Sequence, residues 1–375
     1  MDTQELISTI ALTKLRGLGL LNARTLLETL GSATEVFAHR KDIVSLIPDA
    51  SQRLVAALAG AEKALKVAEE EMDFIESKRL NVFTLNDEGY PRRLKECEDA
   101  PLVLYSCGSA NLNSQRIVSI VGTRKCSEYG REVCRNFIAD LKRYYPDTLI
   151  VSGLAYGIDI CAHQAALDNG MPTLGVLAHG LDTIYPAMHR KTAADMVHQQ
   201  GGLMTEYTMR TTPEKGNFVR RNRIVAGMCD ACIVVESSER GGSLITAELA
   251  LEYNREVFAF PGRVYDEHSR GCNNLIRRQQ ATLLTCAADL LQTMGWQNLL
   301  AKASKPKAVQ QELFPELSDE ERAIVNTLKN VDDKHVNQIV IDTNIPYARV
   351  SMLLFDLEMN GIVKVLGGAR YRLIH

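Results

Sequence analysis

Between residues 116 and 262 the chain repeats one unit: a short unbroken apolar run, a turn of small residues, then a stretch with helical spacing. Ile117-Val118-Ser119-Ile120-Val121 runs into Gly122-Thr123-Arg124, and Thr148-Leu149-Ile150-Val151 into Ser152-Gly153-Leu154-Ala155-Tyr156-Gly157-Ile158-Asp159. Ala231-Cys232-Ile233-Val234-Val235-Glu236 leads to Gly241-Gly242-Ser243. Apolar runs that lack polar alternation are strands covered on both faces, as in a parallel sheet flanked by helices. Thr173 to Leu177, Leu203 to Glu206 and Glu256 to Phe260 extend the series. The expected fold class is therefore α/β, an extended Rossmann-like parallel sheet.

Such a sheet gathers its strand ends and helix N-termini on one edge, where amides without partners suit an anion. Arg124 follows the first turn, and Arg220, Arg221, Asn222 and Arg223 sit in Phe218–Gly227, read as a basic helix start before the third strand. From Arg190 to Arg223, Arg190, Lys191, Arg210, Lys215 and the three clustered arginines outnumber Asp195, Glu206 and Glu214. A solvated surface can carry such an excess, and a lone glycine turn can be purely structural. Three turns beside rigidly held arginines fit a polyanion better. There is no Gly-x-x-x-x-Gly-Lys-Ser/Thr loop, and the first turn lacks Gly-x-Gly-x-x-Gly, which disfavours an ATPase and a nicotinamide dehydrogenase. No histidine or carboxylate cluster has metal-ligand spacing, and no cofactor is expected. His163, among Ala162, Ala165 and Ala166, reads as a packed core residue.

A chain of 375 residues exceeds what one core usually holds. The expected division is a helical domain at 1–78, the sheet domain at 79–296, a linker at 297–315 and a winged helix at 316–375. The first part carries a helix-hairpin-helix (SAM-like) pattern around Gly17-Leu18-Gly19, with a weaker copy turning at Ile47-Pro48-Asp49. Such hairpins bind DNA backbone or serve as helical packing modules; with only Lys14, Arg16 and Arg24 nearby, packing is the stronger reading. Net charge is only −3, so a nucleic-acid partner must meet a local basic patch. No apolar run is long enough to span a membrane, and the polar N-terminus lacks signal-peptide character, so a cytoplasmic location is expected. Nine cysteines, including the pair in Cys229-Asp230-Ala231-Cys232, read as buried, reduced thiols.

Past Leu291 the composition turns polar. Ser318 with Glu321 three residues on is a capping box opening the helix Asp319 to Leu328. Helices at Val336 to Thr343 and Pro346 to Met359, then a hairpin from Ile362 through Gly367-Gly368 to Leu373, complete a winged-helix pattern. Its would-be recognition helix carries Arg349 against Asp356 and Glu358, a poor match to DNA, so a protein-contacting or dimer-supporting role is favoured.

Ser119-Ile120-Val121-Gly122-Thr123-Arg124, Ser152 to Asp159, Arg221-Asn222-Arg223-Ile224-Val225-Ala226-Gly227, Gly242-Ser243-Leu244-Ile245-Thr246-Ala247 and Phe260-Pro261-Gly262 resemble, in this order, the bacterial DNA-processing protein A (DprA/Smf) family. The resemblance covers roughly residues 80 to 295. It implies a non-catalytic homodimer that binds single-stranded DNA and helps load the RecA recombinase during natural transformation. It further implies that Gly122, Thr123 and Arg124 grip phosphate and that Arg221, Asn222 and Arg223 shape a pocket faced by Gly242 and Ser243. Ser152, Gly153 and Arg220 belong to the same edge, with Lys191 as a further DNA contact; Asn222 could equally cap its helix. A partial resemblance points elsewhere, to nucleotide phosphoribohydrolases of the lysine-decarboxylase-like family. Their Gly-Gly-x-Gly-Thr-x-x-Glu loop is echoed by Gly241-Gly242-Ser243 and Glu248, but Ser243-Leu244-Ile245-Thr246 departs from it.

Overall fold

The computed structural model describes residues 2–47, 51–296, 317–329, 333–360, 362–366 and 369–373. They fall into two compact units, Met1–Ala301 and Lys302–His375. The expected linker at 297–315, the turn at Pro48-Asp49 and the Gly367-Gly368 turn lie outside the described residues.

The first unit is built on a nine-stranded sheet among the described residues. Its strands are β1 (Asn81–Thr84), β2 (Val103–Gly108), β3 (Ile117–Val121), β4 (Leu149–Ser152), β5 (Thr173–Val176), β6 (Gly202–Thr205), β7 (Ala231–Val234), β8 (Glu256–Ala259) and β9 (Thr282–Leu283). They lie in the order β1-β2-β6-β5-β4-β3-β7-β8-β9. From β6 to β9 the neighbours are parallel; β2 pairs antiparallel with both β1 and β6. The chain moves from β3 outward through β4, β5 and β6, then returns to place β7 on the other side of β3. That reversal is a topological switch point, and it opens a crevice beyond the carboxyl ends of β3 and β7.

The strand runs lack polar alternation because both faces are covered. Val118 and Ile120 pack with Phe137 and Ile138 of the helix Glu128–Tyr144. Ile117 and Val121 pack with Ile224, Val225 and Ala247 on the other face. Each such side chain contributes about 1.5–3 kcal/mol by leaving water. Ser119, the polar residue in β3, donates its hydroxyl proton to the Val225 carbonyl at 2.6 Å. His163 is a core residue: it is fully buried, its Nδ1 lies 2.7 Å from Thr173 Oγ1, and burial pulls its pKa down to about 3. All nine cysteines are free, and Cys229 and Cys232 are fully buried.

The N-terminal helices share a core with the sheet through Leu102, Val103 and Tyr105. Two of the three hairpin cations are occupied inside this unit. Lys14, at the end of the helix Thr3–Lys14, contacts Thr208 Oγ1, and Arg24 donates to the Cys97 and Glu98 carbonyls. Glu71, on the helix Ala61–Lys78, is buried and accepts the Met209 amide on both oxygens at 3.0 Å. The helical module thus grips the segment between β6 and the helix Lys215–Gly227, as the packing reading expects.

The second unit has the three helices Asp319–Leu328, Val336–Thr343 and Tyr347–Met359 around Ile324, Leu328, Ile339, Val350 and Leu354. A small antiparallel sheet, β10 (Lys334–His335), β12 (Arg370–Leu373) and β11 (Val363–Leu366), forms the wing. The capping box is present: Glu321 Oε2 accepts the Ser318 amide at 2.8 Å, and Ser318 Oγ accepts the Glu321 amide.

Candidate functional site

A cleft of about 360 Å³ lies at the switch point. Its walls are the turn after β3, the turn after β4, the helix Lys215–Gly227 and the start of the helix Gly242–Glu252. Eight of the expected residues line it: Gly122, Thr123, Arg124, Gly153, Arg221, Asn222, Gly242 and Ser243.

The three glycine turns are not equivalent. A Cβ on Gly122 would sit 2.5 Å from Ile158 Cγ1, and one on Gly153 would sit 2.4 Å from Arg221 Nη1. Packing alone demands glycine at both. One amide at each of these turns is engaged: the Thr123 amide donates to the Glu236 carbonyl at 2.7 Å, and the Gly153 amide is directed at Asp159. The third turn differs. A Cβ on Gly242 would meet nothing within 4 Å, and the amides of Gly242 and Ser243 have no hydrogen-bond partner among the described residues. At the first turn the Gly122 and Arg124 amides are also without a partner among the described residues, and the third turn adds its free amides at the N-terminus of an 11-residue helix whose dipole favours an anion there.

The arginines divide as well. The helix begins at Lys215 with Glu214 as its N-cap, so the basic cluster occupies its middle rather than its start. Asn222 therefore cannot cap it. The Asn222 side chain faces the cleft half-buried, with no partner among the described residues. Arg221 is buried; its Nη1 donates to the Gly153 carbonyl at 2.6 Å and to the Val176 carbonyl. It is also the main charge opposing the burial that raises the pKa of Asp159, the carboxylate lining the cleft. Arg221 is a strut joining two strand ends, with only its flank on the cleft.

Arg223 was expected on the same edge, and it is not there. Its position on the helix turns it away from Phe218, Arg221 and Asn222, onto Glu206 Oε2 at 2.5 Å and the Asp99 carbonyl at 2.7 Å. Ser152 is also outside the cleft, fully buried and donating to the Ile120 carbonyl at 2.6 Å. Arg220 is exposed on the outer side of its helix, and Lys191 is exposed on the helix Arg190–His198; neither lines the cleft.

What remains for a ligand is Arg124. It is exposed, has no ion-pair partner among the described residues, and holds its guanidinium 5.3 Å from the centre of the Phe218 ring. Lys125, Lys215, Arg220 and Arg240 are likewise exposed without ion pairs. Asp159, and Phe218 with Val225 and Ile245 as apolar surface, line the cleft without having been singled out as site residues. Asp159 could have been noticed as an acid directly after a glycine turn, and Phe218 as an aromatic next to arginines. Glu248, the carboxylate a phosphoribohydrolase would use, is exposed and does not line the cleft.

Residues 81–295 match the family described as DNA recombination-mediator protein A, and residues 307–369 match the DprA winged helix domain. Among characterised relatives, the chain is similar to the DNA processing protein DprA of Streptococcus pneumoniae, 41% identical over 209 residues, covering 56% of this chain and 72% of that protein. It is also similar to Protein Smf of Escherichia coli, 33% identical over 311 residues, covering 82% and 81%. Among solved structures it resembles DNA processing protein A from Streptococcus pneumoniae, with TM-score 0.65 and 33% identity, covering 77% of this chain and 97% of that one. The structure of DNA processing protein A from Helicobacter pylori, described for its single-stranded DNA binding mode, aligns with TM-score 0.52 and 28% identity over 58% of this chain and 96% of that one. Among the described residues no helix is long and apolar enough to cross a membrane.

Proposed function

The chain belongs to the DNA recombination-mediator protein A family, and from that premise we propose that its cleft and basic rim hold single-stranded DNA without altering it covalently. The observation that carries this is the arrangement of Arg124 over Phe218, beside the unpartnered amide of Asn222 and the free backbone amides of Gly242 and Ser243. A phosphate fits between guanidinium and amides, and a base has an aromatic and aliphatic surface next to it. An exposed duplex offers no free base face to Phe218, so single strands are preferred.

Family membership supports the rest of the reading: the protein acts as a homodimer in the cytoplasm and presents the strand to RecA for filament assembly. The lack of catalysis rests on the cleft's ionisable groups. Asp159 is buried under the opposing charge of Arg221, and among the described residues no histidine lines the cleft as a general base. The enzyme reading would need Glu248 in the cleft.

Fluorescence anisotropy with a labelled single strand and the matching duplex, each at two salt concentrations, tests the proposal. Single-strand binding is expected to be tighter, and Arg124→Ala should lower the salt slope by roughly 0.7, the value for one lost phosphate contact on a single strand. Equal slopes for the two proteins remove Arg124 from the interface. Incubation with nucleoside monophosphates is expected to release no free base; release that disappears in Glu248→Ala would instead establish the enzyme.

A further inference from the structure

The aromatic surface of the cleft continues past the cleft's edge. Phe218, on the helix Lys215–Gly227, lines the cleft and also meets Tyr185: the two ring centres lie 5.8 Å apart, with their planes tilted by 56°. Tyr185 itself is outside the cleft, on the loop that follows β5, and is 45% exposed. That loop is held by its backbone. The Tyr185 amide donates to Nε2 of the buried His179 at 3.2 Å, and Nδ1 of the same ring lies 2.9 Å from the Gly180 carbonyl. The Gly180 amide in turn donates to the Thr211 carbonyl at 3.2 Å, in the segment that leads to the Phe218 helix. The tyrosine side chain is therefore presented by the loop and does not secure it. Farther along the same segment Met188, Arg190 and Lys191 are exposed. The carboxylates closest in the chain to the two rings are taken up: Asp182 Oδ1 fills the space that a Cβ on Gly180 would need, and Glu214 Oε1 accepts the Thr212 hydroxyl at 3.3 Å.

We propose that Tyr185 is a second base-stacking platform: a single strand anchored by a phosphate at Arg124 lays one base on Phe218 and the neighbouring base on Tyr185, and leaves the cleft across the loop after β5. The assignment rests on the single-strand reading above and adds the side on which the strand runs out. An aromatic ring accepts any base, because every base has a π face, so the platform binds without reading sequence. In a regular helix successive bases rise by about 3.4 Å. The two rings are 5.8 Å apart and far from parallel, so each takes its own base and the step between the bases is opened. A duplex cannot open that step without unpairing, which adds to the preference for single strands. Lys191, which does not line the cleft, then sits on the segment that the outgoing strand crosses, where a solvated cation attracts the backbone.

The test is a set of anisotropy titrations of the full-length chain with a labelled oligothymidylate and with a strand of equal length that has sugars and phosphates but no bases. Tyr185→Leu keeps the apolar bulk and removes the ring face; Tyr185→Phe keeps the ring and removes the hydroxyl. Tyr185→Leu should weaken oligothymidylate binding about tenfold. Its salt slope should stay that of the unaltered protein, because no phosphate contact is lost. Tyr185→Phe should bind like the unaltered protein, and on the base-free strand all three should bind equally. The proposal is overturned if Tyr185→Leu leaves oligothymidylate binding unchanged, if the loss is equal on the two strands, or if Tyr185→Phe is as weak as Tyr185→Leu. A lowered salt slope in Tyr185→Leu also overturns it, since the residue would then serve a phosphate. An unaltered protein that binds no single strand removes the single-strand reading itself, and this assignment with it.

Discussion

The two sides of the helix Lys215–Gly227 carry similar sequence and have opposite uses. Toward the sheet and β6, Arg221 and Arg223 are consumed by the protein: one bonds the Gly153 and Val176 carbonyls, the other Glu206 and the Asp99 carbonyl. Toward the cleft opening, Arg124 reaches over Phe218 with no ion pair among the described residues, and Gly242 leaves its neighbourhood open. Positive residues in a sequence are therefore not positive charge available to a ligand. The internal acceptors have to be subtracted first, and what is left sits at the rim.

The contrast can be broken or sharpened by four substitutions. The largest effect is expected for Arg221→Ala, which leaves Asp159 without its main counter-charge and two carbonyls without a donor. About 3–5 kcal/mol of stability should be lost, read by denaturant unfolding, with DNA binding lost only as far as folding is. Arg223→Ala strands the largely buried Glu206 and should cost about 2 kcal/mol while the affinity of the folded protein changes little. A large affinity loss at unchanged stability would return Arg223 to the interface. Arg124→Ala inverts the pattern: stability should move by less than about 0.5 kcal/mol, and single-strand affinity should fall about tenfold, or about 1.4 kcal/mol. A smaller loss of affinity is expected for Gly242→Ala. At a helix start with open space around the new methyl group the fold should gain up to about 1 kcal/mol, yet affinity should drop a few-fold if a phosphate approaches that backbone. A Gly242→Ala protein that binds normally would show that the glycine turn is not where DNA lies.

Much of the architecture was legible because burial on both faces leaves a direct trace in sequence. Ala231–Val234 is a continuous apolar run for that reason, Ile117–Val121 is one but for Ser119, and Ser318 with Glu321 marks its helix start through a local bond pattern. β2 was less legible: it follows the Pro101 connection and enters the sheet antiparallel, beside β6, about a hundred residues further along. In the site, the turns were found and the fate of each charged group was not. The acceptors that capture Arg221 and Arg223 lie 45, 68 and 124 residues away in sequence, and even Glu206, 17 residues away, meets Arg223 only because β6 and this helix are brought together. A local reading sees donors; it cannot see which distant carbonyl will face them. Likewise, the exposure of Met352, Phe355 and Met359 on the Tyr347–Met359 helix could be drawn from spacing only once the opposite face was known to fill the core.

The bond from Glu71 to the Met209 amide, with Lys14 resting on Thr208, fixes the stretch of chain from which the cleft's arginine-bearing wall sets out. Shortening the protein to begin after residue 78 would therefore do more than remove an appendage. It would unmoor one wall of the groove, and a truncated form that grips DNA poorly need not have lost a single atom that touches it.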